Sequence, residues 1–553
     1  MPEAVVFGMS DLARLWRTVR PLRSVQIYGR AWFRLARPRP DLSPPPPRRQ
    51  ISGPWRAPAR RQPILTGPGE FLILNEPGST AEHGWDGPSK PKLWRYNQHY
   101  FDDLNAQDAD QRSDWHRALF NEWIAANPPG KGSGWEPYPT SLRIVNWIKW
   151  ALAGSDFDLA LRHSLAIQAR WLSRRLEWHL LGNHLFANAK ALVFAGLFFD
   201  GPEAALWLTR GTEILEREIS EQILPDGGQF ELSPMYHALA VEDVLDLINI
   251  AHAFGRDDLA EAWGARVPSM LRWMVAMTHP DGDLAFFNDT AIGIAPSVDR
   301  LLDYAARLGF AAPPPLPDLL HLPNSGYVRL ARGPAVLIAD LARIGPDYLP
   351  GHAHADTLSF ELSLHGRRVI VNSGTSLYGL GPERLRQRGT AAHSTVEIDE
   401  QDSSEVWSGF RVGRRARPFD VELRREGAQL IATGAHDGYT HLPGAPVHRR
   451  TWEMGNGALL VRDRIEGSGN HSARAVFHLV PDLEAVKVGP SEVEVRTKAG
   501  NVLAAITVRG GAAEVVPSIW HPEFGLDLPS HALSVRARAE LPITLETSIR
   551  WSA

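Results

Sequence analysis

The 553-residue sequence contains no cysteine. This absence excludes disulfides, thiolate zinc sites and cysteine nucleophiles, so any metal must be held by histidine, carboxylate or amide ligands. The sequence also lacks an apolar run of the ~18 residues that a membrane-spanning helix requires. Its net charge is only −4, which gives no global argument for binding nucleic acid, and we expect no nucleic-acid partner.

Histidine, tryptophan and proline are plentiful, with 21, 19 and 43 residues respectively. Hydrophobic residues make up 44% and charged residues 22%, so large hydrophobic cores can form. The length predicts two or three domains. Histidines supply groups for acid–base chemistry, and indole faces suit the stacking of sugar rings.

The first 62 residues are strongly basic, with 13 arginines and three acidic residues, so the rest of the chain carries a net charge of −14. Apolar residues recur here at helical spacing, at Leu12, Leu15, Trp16, Val19 and Leu22. Such a segment suits peripheral contact with a membrane or an anionic polymer. We favour a surface helix docked on the protein body, because solvated charged faces are the common case. We see no secretory signal pattern, and the compartment (cytoplasm or periplasm) and the oligomeric state stay open.

The hydrophobic period divides the remaining sequence into two halves. From about residue 94 to 320 it is helical, with helices predicted over residues 114–126, 141–153, 158–176, 183–199, 202–222, 236–254, 257–277 and 297–308. Past residue 325, short alternating segments separated by turn residues indicate antiparallel strands. The predicted fold is α+β and multidomain, with an N-terminal (α/α) toroid of helical hairpins followed by a C-terminal antiparallel β-sandwich. We assign residues 1–92 to a basic arm and proline-rich connector, 93–322 to the toroid and 323–553 to the sandwich.

A cluster of imidazoles precedes one predicted strand, at His352, His354 and Asp356. Residues two apart share one face of a strand, so these side chains can converge on a metal ion or form an acid–base pair. His354, Asn372 and His393 form a candidate divalent-metal site, since imidazole suits zinc. A hydrogen-bonded structural triad is the alternative, because an amide is a poor zinc ligand beside a carboxylate.

In the helical half, Asn183 and His184 begin a predicted helix. Asn183 is expected to be its N-cap, and His184 lies where backbone donors gather. Tyr236 follows a polar-aromatic loop, where it either packs in the core or faces a site. A further helix places a cation beside an indole, which suits an anionic sugar or plain packing, through Arg143, Asn146 and Trp147.

Five motifs occur in an order that resembles the heparinase II/III-like polysaccharide lyases, over residues 96–418. They are Asn183-His184, Glu231-Leu232-Ser233-Pro234-Met235-Tyr236-His237, Phe287-Asn288-Asp289-Thr290, Gly351-His352-Ala353-His354-Ala355-Asp356 and His393-Ser394-Thr395-Val396. The resemblance implies a toroid followed by a β-sandwich, in agreement with the order of helices and strands. It also implies cleavage of an acidic, uronic-acid-containing polysaccharide by β-elimination.

The resemblance implies a role for four residues. Asn183 and His184 would neutralise the uronate carboxylate, so that the charge developing next to it is stabilised. Tyr236 would protonate the leaving oxygen and, for one stereochemistry, act as the base, whereas His352 would be the base for the other. As a base, Tyr236 needs cationic neighbours that favour the phenolate, for which Arg143 and Arg388 are candidates.

Further residues are expected to bind substrate or metal. The substrate-binding candidates are Arg143, Asn146, Trp147, Glu231, His237, Asn288 and Arg388. The resemblance places a structural zinc or calcium ion on His354, Asn372 and His393, where Asn372 replaces an expected aspartate, with Asp356 as a substitute carboxylate. Because the substrate is anionic, we expect a local basic patch in the cleft, built from Arg143, Arg384, Arg386 and Arg388.

Two other functions compete with the lyase. A glycoside hydrolase on the same toroid would use a carboxylate pair, for which Glu231 and Asp289 are candidates. A non-catalytic exopolysaccharide-binding or assembly protein is the other alternative.

Overall fold

A computed structural model describes residues 9–552 of the chain. It begins with helices α1 (Met9–Val19) and α2 (Ser24–Leu35). After the proline-rich connector comes a small antiparallel sheet of β1 (Leu65–Gly67), β2 (Glu70–Ile73) and β3 (Glu76–Ser79), followed by α3 (Thr80–His83). The sequence pattern missed this sheet, which lies inside the segment predicted as arm and connector. No helix in the described part of the chain has both the length and the hydropathy to cross a membrane.

The helical domain contains ten α-helices. They are α4 (Lys92–Tyr100), α5 (Ser113–Ala126), α6 (Pro137–Leu152), α7 (Leu159–Ser173), α8 (Gly182–Phe198), α9 (Pro202–Gln222), α10 (Pro234–Ala253), α11 (Asp257–Gly264), α12 (Val267–Ala276) and α13 (Val298–Arg307). Helix α8 is the innermost, buried along almost its whole length between α6, α9 and α10. The helix predicted over 257–277 is in fact two, because α12 restarts with a proline in its first turn.

The rest of the chain forms an antiparallel β-sandwich, as predicted. The eight-stranded sheet contains β12 (Pro418–Glu426), β13 (Gln429–His436), β14 (Val447–Gly455), β15 (Ala458–Glu466), β17 (Leu483–Lys487), β18 (Glu492–Thr497), β19 (Val502–Arg509) and β22 (Ile543–Arg550). The nine-stranded sheet contains β4 (Leu319–Leu322), β5 (Tyr327–Arg332), β6 (Ala335–Asp340), β7 (Phe360–Leu364), β8 (Arg367–Val371), β9 (Val396–Ile398), β16 (Asn470–Leu479), β20 (Ala512–Trp520) and β21 (Leu528–Glu540). Along the chain, α14 (Pro382–Arg388) follows β8. A hairpin of β10 (Val406–Trp407) and β11 (Arg411–Val412) follows β9.

The nine-stranded sheet is the middle layer of the molecule. In β14 of the outer sheet, alternate residues are buried, as expected for a strand with one face on the core. Strands β6 and β7 are instead buried on both faces. One face packs on the outer sheet, and the other packs on toroid residues that include Leu232 and Trp273. This packing fixes the toroid against the sandwich.

The predicted domain boundary is one strand late. Strand β4 pairs with β5 in the nine-stranded sheet, so the sandwich begins at Leu319 rather than at residue 323. The toroid's last helix ends at Arg307, and a proline-rich segment links the two.

A buried arginine joins the two sheets. Arg450 on β14 is fully buried, and its Nε and Nη2 donate to the Asp463 carboxylate at 2.6 and 3.0 Å. Its Nη1 donates to the carbonyl oxygens of Leu358 and Ser394, at 2.8 and 2.7 Å, on the segments beside the inner sheet. Through these Nη1 bonds, Arg450 holds the outer sheet to the chain segments that carry His354 and His393.

Replacement of Arg450 by leucine is expected to lower the free energy of unfolding by ~3–5 kcal/mol, because Asp463 would keep a buried charge without its cation. Arg449→Leu is the matched control. Arg449 is the adjacent arginine on β14, is partly exposed, and pairs with Asp420 on the surface; loss of such a pair costs at most ~1 kcal/mol. Thermal and urea unfolding would measure both changes, and equal losses would contradict this role of Arg450.

Candidate active site

A cavity of about 950 Å³ lies between the toroid and the loops of the sandwich. Its walls come from the small N-terminal sheet, helices α4, α6, α8 and α10, and four sandwich segments. All four residues predicted to be catalytic line it: Asn183, His184, Tyr236 and His352. The fold thus brings together side chains that are 169 positions apart in the chain.

Asn183 is presented to the cavity by an unusual helix start. Leu181 is the N-cap of α8, with φ of +64°, and Gly182 follows with φ of +53°. A Cβ on Gly182 would lie 2.4 Å from Leu349 Cδ2 and 2.8 Å from Glu231 Oε1, so only glycine fits there. The prediction that Asn183 caps the helix is therefore wrong. The side-chain amide of Asn183 makes no hydrogen bond within residues 9–552, which leaves it available to a ligand.

His184 is positioned by an acidic neighbour and an aromatic ring. Its Nδ1 lies 3.2 Å from Glu177 Oε2, and its ring centroid lies 4.6 Å from that of Tyr138. Burial by itself would lower the pKa of His184, but the Glu177 carboxylate outweighs it and the pKa is raised. His184 therefore retains its positive charge to higher pH than a free histidine.

Tyr236 lies in the first turn of α10, whose N-cap ties it to the opposite wall. The Ser233 hydroxyl accepts from the Tyr236 N–H at 3.2 Å and donates to the Asp289 carbonyl at 2.5 Å. The Tyr236 hydroxyl lies 3.1 Å from the hydroxyl of Tyr378, and its ring lies against that of His352, tilted by 32° with centroids 4.0 Å apart. A phenol and an imidazole are thus side by side on the cavity wall.

The predicted phenolate of Tyr236 is not favoured by this environment. Burial, together with the neighbouring Tyr378, raises the pKa of Tyr236 well above its usual value. The two arginines expected to lower it lie elsewhere. Arg143 is fully buried over the Trp123 ring, and Arg388 donates to the Ala353 carbonyl at 2.8 Å. The Tyr236 hydroxyl is accordingly protonated at neutral pH.

His352 is oriented by a buried carboxylate. Its Nδ1 lies 2.9 Å from Asp289 Oδ2, and both Asp289 oxygens accept from the Arg384 guanidinium, at 2.5 and 2.7 Å. Burial alone would raise the pKa of Asp289, but Arg384 and the two histidines bonded to it hold that pKa well below its usual range. An ionised carboxylate only accepts hydrogen bonds, so Nδ1 of His352 carries a proton, and Nε2 is the nitrogen left for proton transfer.

His352 and His354 converge as predicted, but on Asp289 rather than on each other. His354 Nε2 lies 2.8 Å from Asp289 Oδ1, and its Nδ1 lies 3.2 Å from His393 Nε2. Burial lowers the pKa of His354 to about 4 and that of His393 well below its usual value, so both rings are neutral. The result is a hydrogen-bonded chain from His393 through His354 to the carboxylate.

The third predicted metal ligand is Asn372. It lies beside these histidines, but its side chain is hydrogen-bonded to the backbone. Its Oδ1 accepts from the Ser394 N–H and its Nδ2 donates to the Phe286 carbonyl, both at 2.9 Å. Among the residues that the structure describes, no group of three histidines or carboxylates is arranged to hold a metal. These side chains fit the hydrogen-bonded triad better than a zinc or calcium centre, and metal binding stays an untested prediction.

The predicted substrate-binding residues divide into two groups. Asn146 lines the cavity, and its Nδ2 donates to Asp102 Oδ1 at 2.7 Å. The rest are buried, do not line the cavity and are bonded or packed within the protein, which corrects their expected direct contact with substrate: Arg143, Trp147, Glu231, His237, Asn288 and Arg388. Helical spacing could not separate Arg143 and Trp147 from Asn146, because all three lie on α6 and are buried in the domain core.

Glu231 retains an indirect link to the site. It is almost fully buried, but its Oε2 lies 3.4 Å from His352 Nε2 and its Oε1 accepts from the Asn183 N–H at 3.4 Å. Glu231 therefore lies between the two walls that carry predicted catalytic groups.

The expected basic patch is absent from the described lining of the cavity. Arg384 and Arg388 are buried behind the site, and Arg386 pairs with Glu383 outside it. Four cationic and four acidic side chains line the cavity and balance in charge: Arg61, Lys92, Lys149 and Lys190 against Asp102, Glu242, Asp243 and Glu523.

Three site residues escaped the sequence analysis, namely Tyr138, Glu177 and Tyr378. None of them belongs to the five motifs. Tyr378 has a local signal, since it directly precedes Gly379 in the segment that follows Asn372.

Comparison with known proteins agrees with this architecture. The family profile described as Heparinase II/III N-terminus matches residues 102–308, and the one described as Heparinase II/III-like, C-terminal, matches residues 314–552. A heparin-sulfate lyase of Bacteroides stercoris is 27% identical over 321 residues, which is 54% of this chain and 46% of that protein. The chain thus spans about half the length of the curated relatives that it matches.

Solved structures share the fold at low sequence identity. Heparinase III superposes with a TM-score of 0.69 at 19% identity, covering 86% of this chain and 80% of that one. A chondroitin AC lyase of Streptomyces coelicolor, in complex with chondroitin sulphate, gives 0.54 at 10% identity, covering 89% and 77%. With both profiles matched in order along most of its length, this chain belongs to the heparinase II/III-like family.

Proposed function

We propose that the protein is a polysaccharide lyase that cleaves an acidic, uronic-acid-containing polysaccharide by β-elimination. The observation that carries this proposal is the pairing of Tyr236 with His352 on the wall of a cavity that also contains Asn183 and His184. The relatives named above as heparin-sulfate lyases support the same class of reaction.

The first requirement of the reaction is to make the C5 proton of the uronate acidic. An ionised carboxylate next to C5 opposes the negative charge that forms when this proton leaves. The free amide of Asn183 and the charged ring of His184 would bind that carboxylate and stabilise the enolate-like charge. The raised pKa of His184 extends its positive charge to higher pH than in a free histidine.

The second requirement is a base and an acid. Nε2 of His352 would take the C5 proton, and the imidazolium so formed is stabilised by Asp289 at its Nδ1. Tyr236, protonated at rest, would donate its proton to the leaving glycosidic oxygen and recover it from solvent or from His352. The two hydroxyls of Tyr236 and Tyr378 provide a short path for that proton.

The competing hydrolase requires two carboxylates that reach the glycosidic bond. Neither Glu231 nor Asp289 lines the cavity. The pKa of Asp289 is also held well below its usual range, which makes this carboxyl a poor proton donor. A non-catalytic binding protein has no need for the oriented His352 and Tyr236, so the lyase is favoured over both alternatives.

We further propose that the preferred polymer has few charges beyond its uronates. Sulfate groups would meet a lining in which every lysine and arginine is offset by a carboxylate. Lys190, for example, lies 2.7 Å from Asp243 Oδ1 and 2.6 Å from Asp246 Oδ2, so little of its charge is available to a ligand.

Tyr236→Phe is expected to lower kcat by about 10²–10⁴-fold, because the leaving oxygen loses its proton donor. Activity would be followed as the rise in ultraviolet absorbance from the conjugated double bond that only a lyase leaves on a uronate polymer. Tyr439→Phe is the control, since it removes a buried hydroxyl in the sandwich that bonds to the Val396 carbonyl. Reducing ends without absorbance in the unmodified protein would exclude the lyase.

Glu177→Gln is expected to lower the pKa of His184, because burial would then act without the opposing carboxylate. The charged form of His184 is present below its pKa and is lost as pH rises through it. The alkaline limb of kcat/KM should therefore move to lower pH, and NMR titration of the His184 ring should show the same displacement. Glu216→Gln, an exposed change on α9, is the control; an unchanged titration in Glu177→Gln would contradict the role of Glu177.

Unsulfated polyuronates are expected to have kcat/KM at least about tenfold higher than fully sulfated chains of the same backbone, since sulfates would lose water without meeting an unpaired lysine or arginine in the lining. Matched pairs of native and chemically desulfated glycosaminoglycans, with alginate as a third class, would measure this ratio. A preference for the sulfated member of each pair would contradict the charge argument and leave the lyase assignment intact.

A further inference from the structure

The N-terminal helices are docked on the protein in an unusual orientation. Helix α1 contacts the body through its arginines: Arg17 Nε donates to Glu405 Oε2 at 3.0 Å, and the Arg14 guanidinium lies 4.9 Å from the centre of the Trp407 ring. The Trp407 indole N–H also donates to Thr18 Oγ1 at 3.0 Å. The polar side of α1 is thus the docked side.

Helix α2 is held just as firmly. Gln26 is buried, and its Nε2 donates to the Tyr348 carbonyl at 3.0 Å. Gly29 lies against His179, where a Cβ would come within 3.1 Å of the histidine Cβ, and Phe33 stacks on the same imidazole with centroids 4.3 Å apart. These contacts with the rest of the protein fix the orientation of both helices.

This docking turns the apolar sides of both helices to solvent. Trp16, Trp32 and Leu35 are 60%, 70% and 80% exposed. Eight large hydrophobic side chains are exposed within residues 12–35, out of 19 in the described chain: Leu12, Leu15, Trp16, Val19, Ile27, Tyr28, Trp32 and Leu35. A soluble protein rarely leaves so concentrated an apolar surface without a partner.

Cations surround this apolar surface. Four arginines on or next to α1 and α2 are exposed and form no ion pair within residues 9–552: Arg20, Arg30, Arg34 and Arg37. The Arg20 guanidinium lies 5.0 Å from the centre of the Trp16 ring, so charge and indole are adjacent. The surface therefore combines aliphatic groups, exposed indoles and unneutralised positive charge.

We infer that α1 and α2 form a docking surface for an anionic phospholipid bilayer. Aliphatic side chains enter the boundary of the acyl chains, indoles favour the headgroup level, and arginines bind lipid phosphates. A polyanion in solution would use the arginines but leave the apolar side chains exposed. A second copy of the chain would bring two arginine-rich surfaces together, which like-charge repulsion opposes.

The location of this surface relates it to the cavity without depending on the proposed reaction. Helix α1 packs on the β10–β11 hairpin through Trp407, and Phe410 in the turn of that hairpin lines the cavity. A bilayer bound to α1 would therefore be connected to the cavity rim through one short hairpin.

The test is flotation of the full chain with vesicles of phosphatidylcholine alone or with phosphatidylglycerol. We expect binding to the anionic vesicles that weakens as salt rises, since exposed charges are screened. Trp16→Ser/Trp32→Ser is expected to weaken binding at least ~10-fold. Arg20→Gln/Arg34→Gln/Arg37→Gln should weaken it by about 100-fold, at roughly fivefold per arginine.

Matched controls are Leu206→Ser, which removes a 71% exposed leucine on α9, and Arg272→Gln, which removes an exposed arginine on α12. Both should bind vesicles like the unmodified chain. The inference is overturned if the unmodified chain does not float with anionic vesicles, or if the tryptophan variant floats equally well with an unchanged melting temperature. It is also overturned if ultracentrifugation shows a dimer that the tryptophan change dissociates, or if an anionic polysaccharide binds the arm while vesicles do not.

Discussion

The candidate site depends on one buried ion pair, between Asp289 and Arg384. Both side chains are fully buried, and the carboxylate accepts two hydrogen bonds from the guanidinium and one from each of two histidines. A buried carboxylate without such partners would be protonated and would no longer dictate which nitrogen of His352 bears a proton. The ion pair thereby fixes the tautomer of His352, and through His354 it also organises the loop beneath it.

The ion pair explains why the site is assembled across two domains. Asp289 belongs to the last part of the helical domain, whereas Arg384 and His352 belong to segments of the sandwich. The inner sheet, buried on both faces, holds these segments against the toroid. Asn183, His184 and Tyr236 then complete the cavity from the helical side, each placed in the first turn of a helix. The chemistry is thus divided between the domains: the toroid supplies the groups proposed to bind the carboxylate and protonate the product, and the sandwich supplies the proposed base.

Electrostatics in the cavity differ from those of an ordinary polyanion-binding groove. Arg384 and Arg388 lie close to the candidate site but are bonded to Asp289 and to the Ala353 carbonyl. The lysines and the arginine that line the cavity are equal in number to its carboxylates. Positive charge is concentrated instead on the N-terminal helices, where it is exposed beside an apolar surface. The small net charge of the protein is thus the sum of a basic N-terminal segment and an acidic remainder, and the exposed positive charge lies on the N-terminal helices rather than in the cavity.

The sequence pattern was sufficient to predict the succession of helices and strands, and the resemblance to the heparinase II/III-like lyases was sufficient to pick out the four residues that meet in the cavity. Periodicity and turn residues act locally, and the motifs lie at element ends where the chain must turn. It was not sufficient for the roles of Arg143, Trp147 and Arg388, since burial of a polar side chain depends on what the opposite wall supplies. Nor did it place Asn183 inside the helix, because the left-handed turn at Leu181 and Gly182 that begins α8 packs against Leu349 and Glu231 from distant segments.

The same distinction applies to the first helices. Their amphipathic pattern is readable from the spacing of leucine and tryptophan, but a pattern does not say which side meets the protein. The orientation of α1 depends on Glu405 and Trp407, which lie hundreds of positions away in the chain. They contact Arg17 and Arg14, and the apolar side of the helix therefore faces outwards. Sequence determines what a surface is made of; only the tertiary structure decides which way it faces, because long-range contacts compete for it.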